Sequence, residues 1–241
     1  MGQTNALPIY PSIPRGGACS DSTPRLFAKI ALGAAVETSL MYALIDLIIT
    51  LKSNNRHSGN STAMIAIFQT IVLLSIIFGS STFGAIVDRG LSAATKQILD
   101  PNQIPGDANW YANLKKPRWN PPGWLFPIMW LIISKPTQFM AVTKLLAAAS
   151  SNTNKKELSI PLLAYCTHLS LGDAWNKVFF GLECTGRGLA VIFTFWSALW
   201  LCAYLFGRKD RIAGLLLLPT CLWVTVATIL NWSIYRLNRQ E

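Results

Sequence analysis

Charge is scarce in this chain of 241 residues: Asp, Glu, Lys and Arg make up 13% of it, about half the ~25% usual in soluble globular proteins. Acidic residues are the scarcer sign, 11 against 21 basic ones, for a formal net charge of +10. Histidine occurs twice, as His57 and His168. Neither has a ligand-spaced neighbour, which argues against a metal site. The five cysteines form no C-x-x-C pair. That odd, dispersed set excludes a disulfide-stapled mini-domain, and Cys166, Cys202 and Cys221, inside apolar blocks, read as small packing residues. A nucleophile–base–orienter trio, a metal cluster and a phosphate loop are all missing, so no independent catalytic set can be read.

Apolar residues are abundant instead. The AVILMFWYC fraction is 51%, nine residues are Trp, and Leu189–Gly207 runs 19 residues without a charge. Such runs exclude a disordered chain and a coiled coil and disfavour a soluble enzyme, which leaves a polytopic membrane protein with the bilayer as its partner. The basic excess fits that reading. Lys and Arg fall mostly between the apolar blocks, where cations meet lipid headgroups, and no nucleic-acid-binding motif accompanies them. Nucleic acid is therefore not expected as a partner. Basic residues flank both ends of the spans in near-equal numbers, so the positive-inside rule leaves orientation open.

The chain divides into an extension over residues 1–62 and a five-span domain over 63–241. Residues 1–25 are rich in Pro, Gly and Ser and read as a tail. Ala6 stands where a myristoylation signal wants Ser or Thr, and an ordinary cleavable signal peptide is not expected. Residues 26–51 are apolar but carry Lys29, Glu37 and Asp46, which point in three directions at 100° per residue. This segment reads either as one extra membrane-associated helix or as a targeting or soluble helix. Five spans follow at about 63–87, 124–149, 161–182, 189–207 and 212–235. Each is long enough, at ~1.5 Å per residue, to cross a ~30 Å hydrocarbon core as a helix. Short loops after the third and fourth spans make the last three antiparallel neighbours.

The segment Trp110–Trp130, WYANLKKPRWNPPGWLFPIMW, holds four of the nine tryptophans. Pro117, Pro121 and Pro122 fix φ and lack a donor, so they predict a stiff, non-helical approach to the second span. On composition alone this is an aromatic belt anchoring a helix at headgroup level. Its pattern, W-Y-x-x-L-x-K-P-x-W-x-P-P-x-W over Trp110, Tyr111, Leu114, Lys116, Pro117, Trp119, Pro121, Pro122 and Trp124, resembles the hallmark of the tryptophan-rich sensory protein / translocator protein family (TspO/MBR, peripheral-type benzodiazepine receptors). Trp130 is similar to that family's second-helix tryptophan. Tyr165, Leu169, Leu171, Ala174, Trp175, Phe179, Phe180 and Gly181 resemble its third-helix pattern. Pro219, Trp223, Ala227, Leu230, Asn231, Arg236 and Asn238 resemble its fifth.

The resemblance implies an all-α, five-transmembrane-helix bundle, commonly a homodimer. Its pocket takes porphyrins and other tetrapyrroles, heme-type ones included, benzodiazepine-type ligands and, in animal members, cholesterol. No cofactor is required. The pocket residues it implies are Trp130, Trp175, Trp223, Ala227, Leu230 and Asn231, with Trp119 and His168 as further contacts. Indole faces suit a flat apolar guest, Ala leaves room, and Asn offers one orienting hydrogen bond. The function implied is that of a receptor, sensor or translocator for a bulky hydrophobic ring. The alternatives are a light-dependent porphyrin-degrading enzyme and a regulatory scaffold that has lost its ligand. The membrane expected is a eukaryotic organelle membrane: mitochondrial outer, plastid or ER/Golgi.

The third span departs from the family pattern. His168 and Gly172 replace the usual Gln and Asn, and Asp173 and Lys177 are charged where the family is mostly apolar or small. In the second span Ile133-Ser134 precede Lys135 and Pro136, and Arg187 stands where a tryptophan is frequent. A charge at bilayer depth costs ~2.5–3.5 kcal/mol on insertion scales, so it pairs or faces a cavity. Lys135 lies about 16 Å along its span and Asp173 about 18 Å along its antiparallel neighbour, at ~1.5 Å per residue. Similar depth predicts a Lys135–Asp173 ion pair lining the pocket. The competing readings are an Asp173–Lys177 pair at i, i+4 and a Lys177 that snorkels to the headgroups. Pro136 predicts a kink in the second span.

Overall fold

A computed structural model describes residues 23–54, 59–89, 108–148 and 155–239, and its regular elements are all helical among these residues. Helix α1 is Thr23–Asn54 and α2 is Gly59–Arg89. A short helix α3, Ala108–Asn113, opens the tryptophan-rich segment. The second rod of the five-span domain is composite: α4 (Leu125–Pro127), a π-helical stretch π1 (Ile128–Ser134) and α5 (Lys135–Ala148). The third rod joins α6 (Lys155–Asn176) to a second π stretch, π2 (Lys177–Gly181). Helix α7 is Thr185–Lys209, and the last rod is α8 (Arg211–Leu216) followed by α9 (Leu218–Asn238).

Helices occupy the stretches over 63–87, 124–149, 161–182, 189–207 and 212–235: three run past both ends, the second rod ends one residue inside at each end, and the third starts earlier and ends one residue short. The tail over 1–22 and the linker over 90–107 lie outside the described residues. Helix α1 also shows that residues 26–51 form a helix. Among the described residues, five helices are long and apolar enough to cross a membrane: Thr23–Asn54, Ala63–Ser80, Leu125–Ala147, Thr185–Lys209 and Arg211–Asn238. The third rod is not among them, because His168, Ser170, Asp173 and Asn176 dilute its apolar run. The outer faces are greasy. Leu32, Met64, Ile67, Ile132, Leu201 and Leu222 are all more than half exposed, apart from the core behind them. A rod apolar on both its inner and outer faces belongs in lipid. The chain is a multi-pass membrane protein.

The rods close a ring. Helix α2 meets the second rod, the second rod meets α8 and α9, α9 lies on α7, α7 on α6, and α6 returns to α2. Helix α1 packs along α6 and α2. Its Met41, Ile45 and Ile48 are wholly buried in the same core as Leu73, Ile76 and Ile77 of α2 and Leu162 and Tyr165 of α6. A hydrogen bond of 3.0 Å between the Thr38 and Ser170 hydroxyls stitches α1 to α6. Of the cysteines, Cys166, Cys202 and Cys221 are buried free thiols, as packing predicts, whereas Cys184 is disulfide-bonded.

The disturbance expected at Pro136 takes the form of π1. The Lys135 N–H bonds the Trp130 carbonyl, five residues back, before Pro136 removes the next donor. Local polar bonds fix the other ends. The Asp210 carboxylate caps α8 by accepting from the Ala213 N–H at 2.8 Å. Lys209 reaches Glu157 at 2.8 Å and ties the end of α7 to the start of α6.

Helices α7 and α8 meet backbone to backbone at Gly214. A Cβ there would lie 2.6 Å from the Gly207 Cα and 2.9 Å from the Ala203 carbonyl oxygen, neither of which can rotate away. Gly214→Ala should therefore destabilise the protein by about 1–3 kcal/mol, as overpacking does. A lower unfolding midpoint in detergent would register this. Gly33→Ala, with open space around its Cβ, should leave that midpoint unchanged.

Candidate functional site: a two-faced cavity inside the ring

A cavity of about 240 Å³ opens between α2, π1, α5, α6, α7 and α9. One side is apolar: Phe78, Trp130, Leu131, Leu169 and Phe195. The other is polar: Ser80, Lys135, Gln138, His168, Asp173, Asn176 and Thr220. Both π stretches abut it. Trp130 and Leu131 come from π1, and Asp173 and Asn176 immediately precede π2. A π turn rotates the following residues about the helix axis, and such turns are frequent at functional sites.

The polar side is partly self-satisfied. The Tyr165 hydroxyl donates to Gln138 Oε1 at 3.1 Å, and Gln138 Nε2 reaches the Thr220 hydroxyl at 3.4 Å. His168 is 1% exposed. It sits between the rings of Tyr165 and Phe195, and neither imidazole nitrogen closes a hydrogen bond; the Tyr165 carbonyl is its nearest backbone dipole. Asp173 Oδ2 is inaccessible and likewise closes none, although Lys135, Glu37 and Ser80 all face this carboxyl. Lys135 and Asp173 thus share one cavity at one depth. Lys177 is exposed.

Glu37 was not a candidate from the sequence. It lies on α1, is 4% exposed, and acts on both Lys135 and Asp173. The available signal was an acid in an apolar run, next to Thr38, which bonds Ser170 of α6. Gly172 replaces the family's Asn where the Phe195 ring presses in: a Cβ would stand 3.2 Å from Phe195 Cζ.

The tryptophans form two groups. Trp130, on the cavity wall, meets Trp223 edge-on at 6.5 Å, and Trp223 meets Phe126 edge-on at 5.3 Å. Trp223 is 5% exposed and its indole N–H closes no hydrogen bond. Trp175 belongs to a second layer, stacked on Phe179 and edge-on to Phe180, with Trp110 and Tyr111 against the same two phenylalanines. Its indole donates to Asn231 Oδ1 at 3.0 Å, and Asn231 Nδ2 donates to the Thr185 carbonyl at 3.1 Å. Asn231 therefore knots three rods together. Ala227 and Leu230 are buried on the same helix, outside the cavity lining. Trp119 is 48% exposed, in the segment leading to α4.

That leading segment is clamped. The Lys115 N–H donates to Asn238 Oδ1 at 3.1 Å, and Asn238 Nδ2 returns a bond to the Lys115 carbonyl at 3.0 Å. The Lys116 ammonium bonds the Ala112 and Leu114 carbonyls and lies 4.7 Å over the Tyr111 ring. Burial raises the Tyr111 phenol and lowers the Lys116 ammonium from their ordinary pKa values. The Lys115 backbone, next to the K-P of the motif, and the Asn of the final R-x-N are thus two sides of one latch.

With this geometry in place, comparison with known families is decisive. The TspO/MBR family pattern matches residues 85–236. The chain belongs to the TspO/MBR family. It is 35% identical over 151 residues to Protein CrtK of Rhodobacter capsulatus, covering 62% of this chain and 88% of that protein. It is 36% identical over 135 residues to the tryptophan-rich protein TspO of Chlorobaculum tepidum, covering 56% and 83%. The human translocator protein is 28% identical over 129 residues, covering 54% and 75%. The expectation of a eukaryotic organelle membrane is not borne out, since bacterial relatives reach higher identity than mammalian ones. What stands is an integral, multi-pass membrane location.

Removing the knot has a defined cost. Asn231→Leu strands the Trp175 indole N–H and removes the tie to the Thr185 carbonyl. It should cost about 1–3 kcal/mol for the stranded buried donor, read as a fall in the thermal midpoint in detergent. An unchanged midpoint would show that Asn231 is not a structural tie.

Proposed function

We propose that the protein is a membrane receptor or translocator for a bulky, apolar, ring-shaped molecule of the tetrapyrrole or sterol class. The observation that supports this reading is the aromatic side of the cavity: Trp130 and the rings of Phe78 and Phe195 border it, and Trp223 and Phe126 pack behind Trp130 edge to edge. Rings of this size supply most of the contact area in ligand sites, and aromatic contacts add ~0.5–1.5 kcal/mol beyond area burial. Names of relatives point the same way, since sensory and translocator proteins both act through something they bind. In this reading Trp130, Trp223 and His168 touch the guest. Trp175, Ala227, Leu230 and Asn231 hold the frame behind them, and Trp119 marks the headgroup level. The Lys135–Asp173 pair stands at the polar end of the pocket. A homodimer in the membrane plane is the assembly we assign.

Size adds a condition. The cavity of about 240 Å³ is below the ~300–1,000 Å³ typical of drug-sized sites. A molecule of a few fused rings fits the resting ring of helices, whereas a tetrapyrrole requires the rods to part. The π stretches, with their weaker backbone ladder, are where such opening would occur.

The test is a titration of the purified full chain with protoporphyrin and with a sterol, followed both by tryptophan quenching and by ligand absorbance. Trp130→Ala and Trp223→Ala should each weaken binding at least tenfold, about 1.4 kcal/mol or more, as truncation of a buried aromatic anchor does. Trp200→Ala, on the lipid side, should not. Equal binding by all three variants would end the proposal.

A further inference from the structure

The cavity's polar end is not suited to every ring-shaped guest. The geometry points to a site for an organic cation: a small fused-ring molecule whose protonated nitrogen sits against Asp173 Oδ2 while its rings lie on Trp130. This deepens the function proposed above and rests on the same cavity.

Three observations converge on it. First, Asp173 Oδ2 is shut off from solvent and closes no hydrogen bond. Lys135, Ser80 and Glu37 already face this carboxyl, but the oxygen itself still lacks a donor, which a low-dielectric site makes costly. Second, Lys135 faces Glu37 as well as Asp173. One ammonium is therefore shared between two carboxyls, from α1 and α6. Third, both nitrogens of His168 are without a hydrogen-bond partner on the same wall. A neutral imidazole offers one acceptor to a second ligand N–H. The apolar side agrees with this polarity, because the face of Trp130 attracts a cation as well as a ring. An anionic guest would meet the opposite: its carboxylates would approach Asp173 and Glu37 in a medium where charge repulsion is poorly screened. The site therefore discriminates against ring systems whose polar ends are carboxylates. Helix α1, outside the part of the chain matched by the family, takes part in this selection through Glu37.

The experiment uses the full chain in lipid nanodiscs, with empty nanodiscs as the partition blank. Three planar probes of one size are compared: 9-aminoacridine as cation, 9-anthracenemethanol as neutral, and 9-anthracenecarboxylate as anion. The wild type should bind the cation at least tenfold more tightly than the neutral probe and the anion weakest. Asp173→Asn should bring the cation-to-neutral ratio close to one, and Glu37→Gln should lower it several-fold. Lys135→Met should raise the ratio, a gain that misfolding cannot mimic. A wild-type ratio near one overturns the inference, as does an Asp173→Asn variant that weakens all three probes alike. If no probe binds while protoporphyrin still does, this inference falls and the broader function stands. If protoporphyrin also fails to bind, both fall.

Discussion

The polarity of α6 is the constraint on which the rest of the architecture depends. Lipid offers no hydrogen bonds, so a rod carrying His168, Ser170, Asp173 and Asn176 cannot present those side chains outward. Its rotation is thereby set, with the polar stripe turned into the ring. Once that stripe faces inward, neighbours must supply partners. Gln138 and Thr220 answer from the second and last rods, and Ser80 from α2. Helix α1 lies along the same rod and brings Thr38 to Ser170 and Glu37 toward Lys135 and Asp173. The added helix and the unusual third rod are two halves of one solution. A rod too polar to be an ordinary lipid-facing span is sheathed by a helix apolar enough to be one.

The rods themselves were legible in the sequence, because an apolar run of span length bounded by charge has few other meanings in a chain this hydrophobic. That Lys135 and Asp173 border one cavity accords with helical rise, which converts residue number to height. Height is not azimuth, however. The same arithmetic could not tell that Gln138, Asn176 and Thr220 point into the space beside them. It could not place Glu37 there at all, because α1 is joined to the rest through residues whose packing no periodicity encodes. The family motif flagged Trp175 and Asn231 as a pair of interesting positions. What it did not reveal is that they bond to each other, so that two expected ligand contacts are in the first instance ties between rods.

The π stretches explain why the second and third rods could be read as ordinary helices and yet behave differently. Each inserts one residue per turn without any signature in hydropathy. In the second rod the cause is visible in retrospect: Pro127 and Pro136 bracket Ile128–Ser134 and deny donors at both ends. The widened turn swings Trp130 and Lys135 to a common side. In the third rod Pro161 lies well before the π stretch, and the widening coincides with the crowding of Phe179 between Trp110, Trp175 and Gly188.

The latch between Lys115 and Asn238 joins groups 123 residues apart in the chain. The proline-rich segment ahead of the second rod is therefore fastened across the mouth of the bundle by the end of the last rod. Any shift of that rod is passed directly to the segment, so the tightness of the mouth and the seating of the last helix are one mechanical variable.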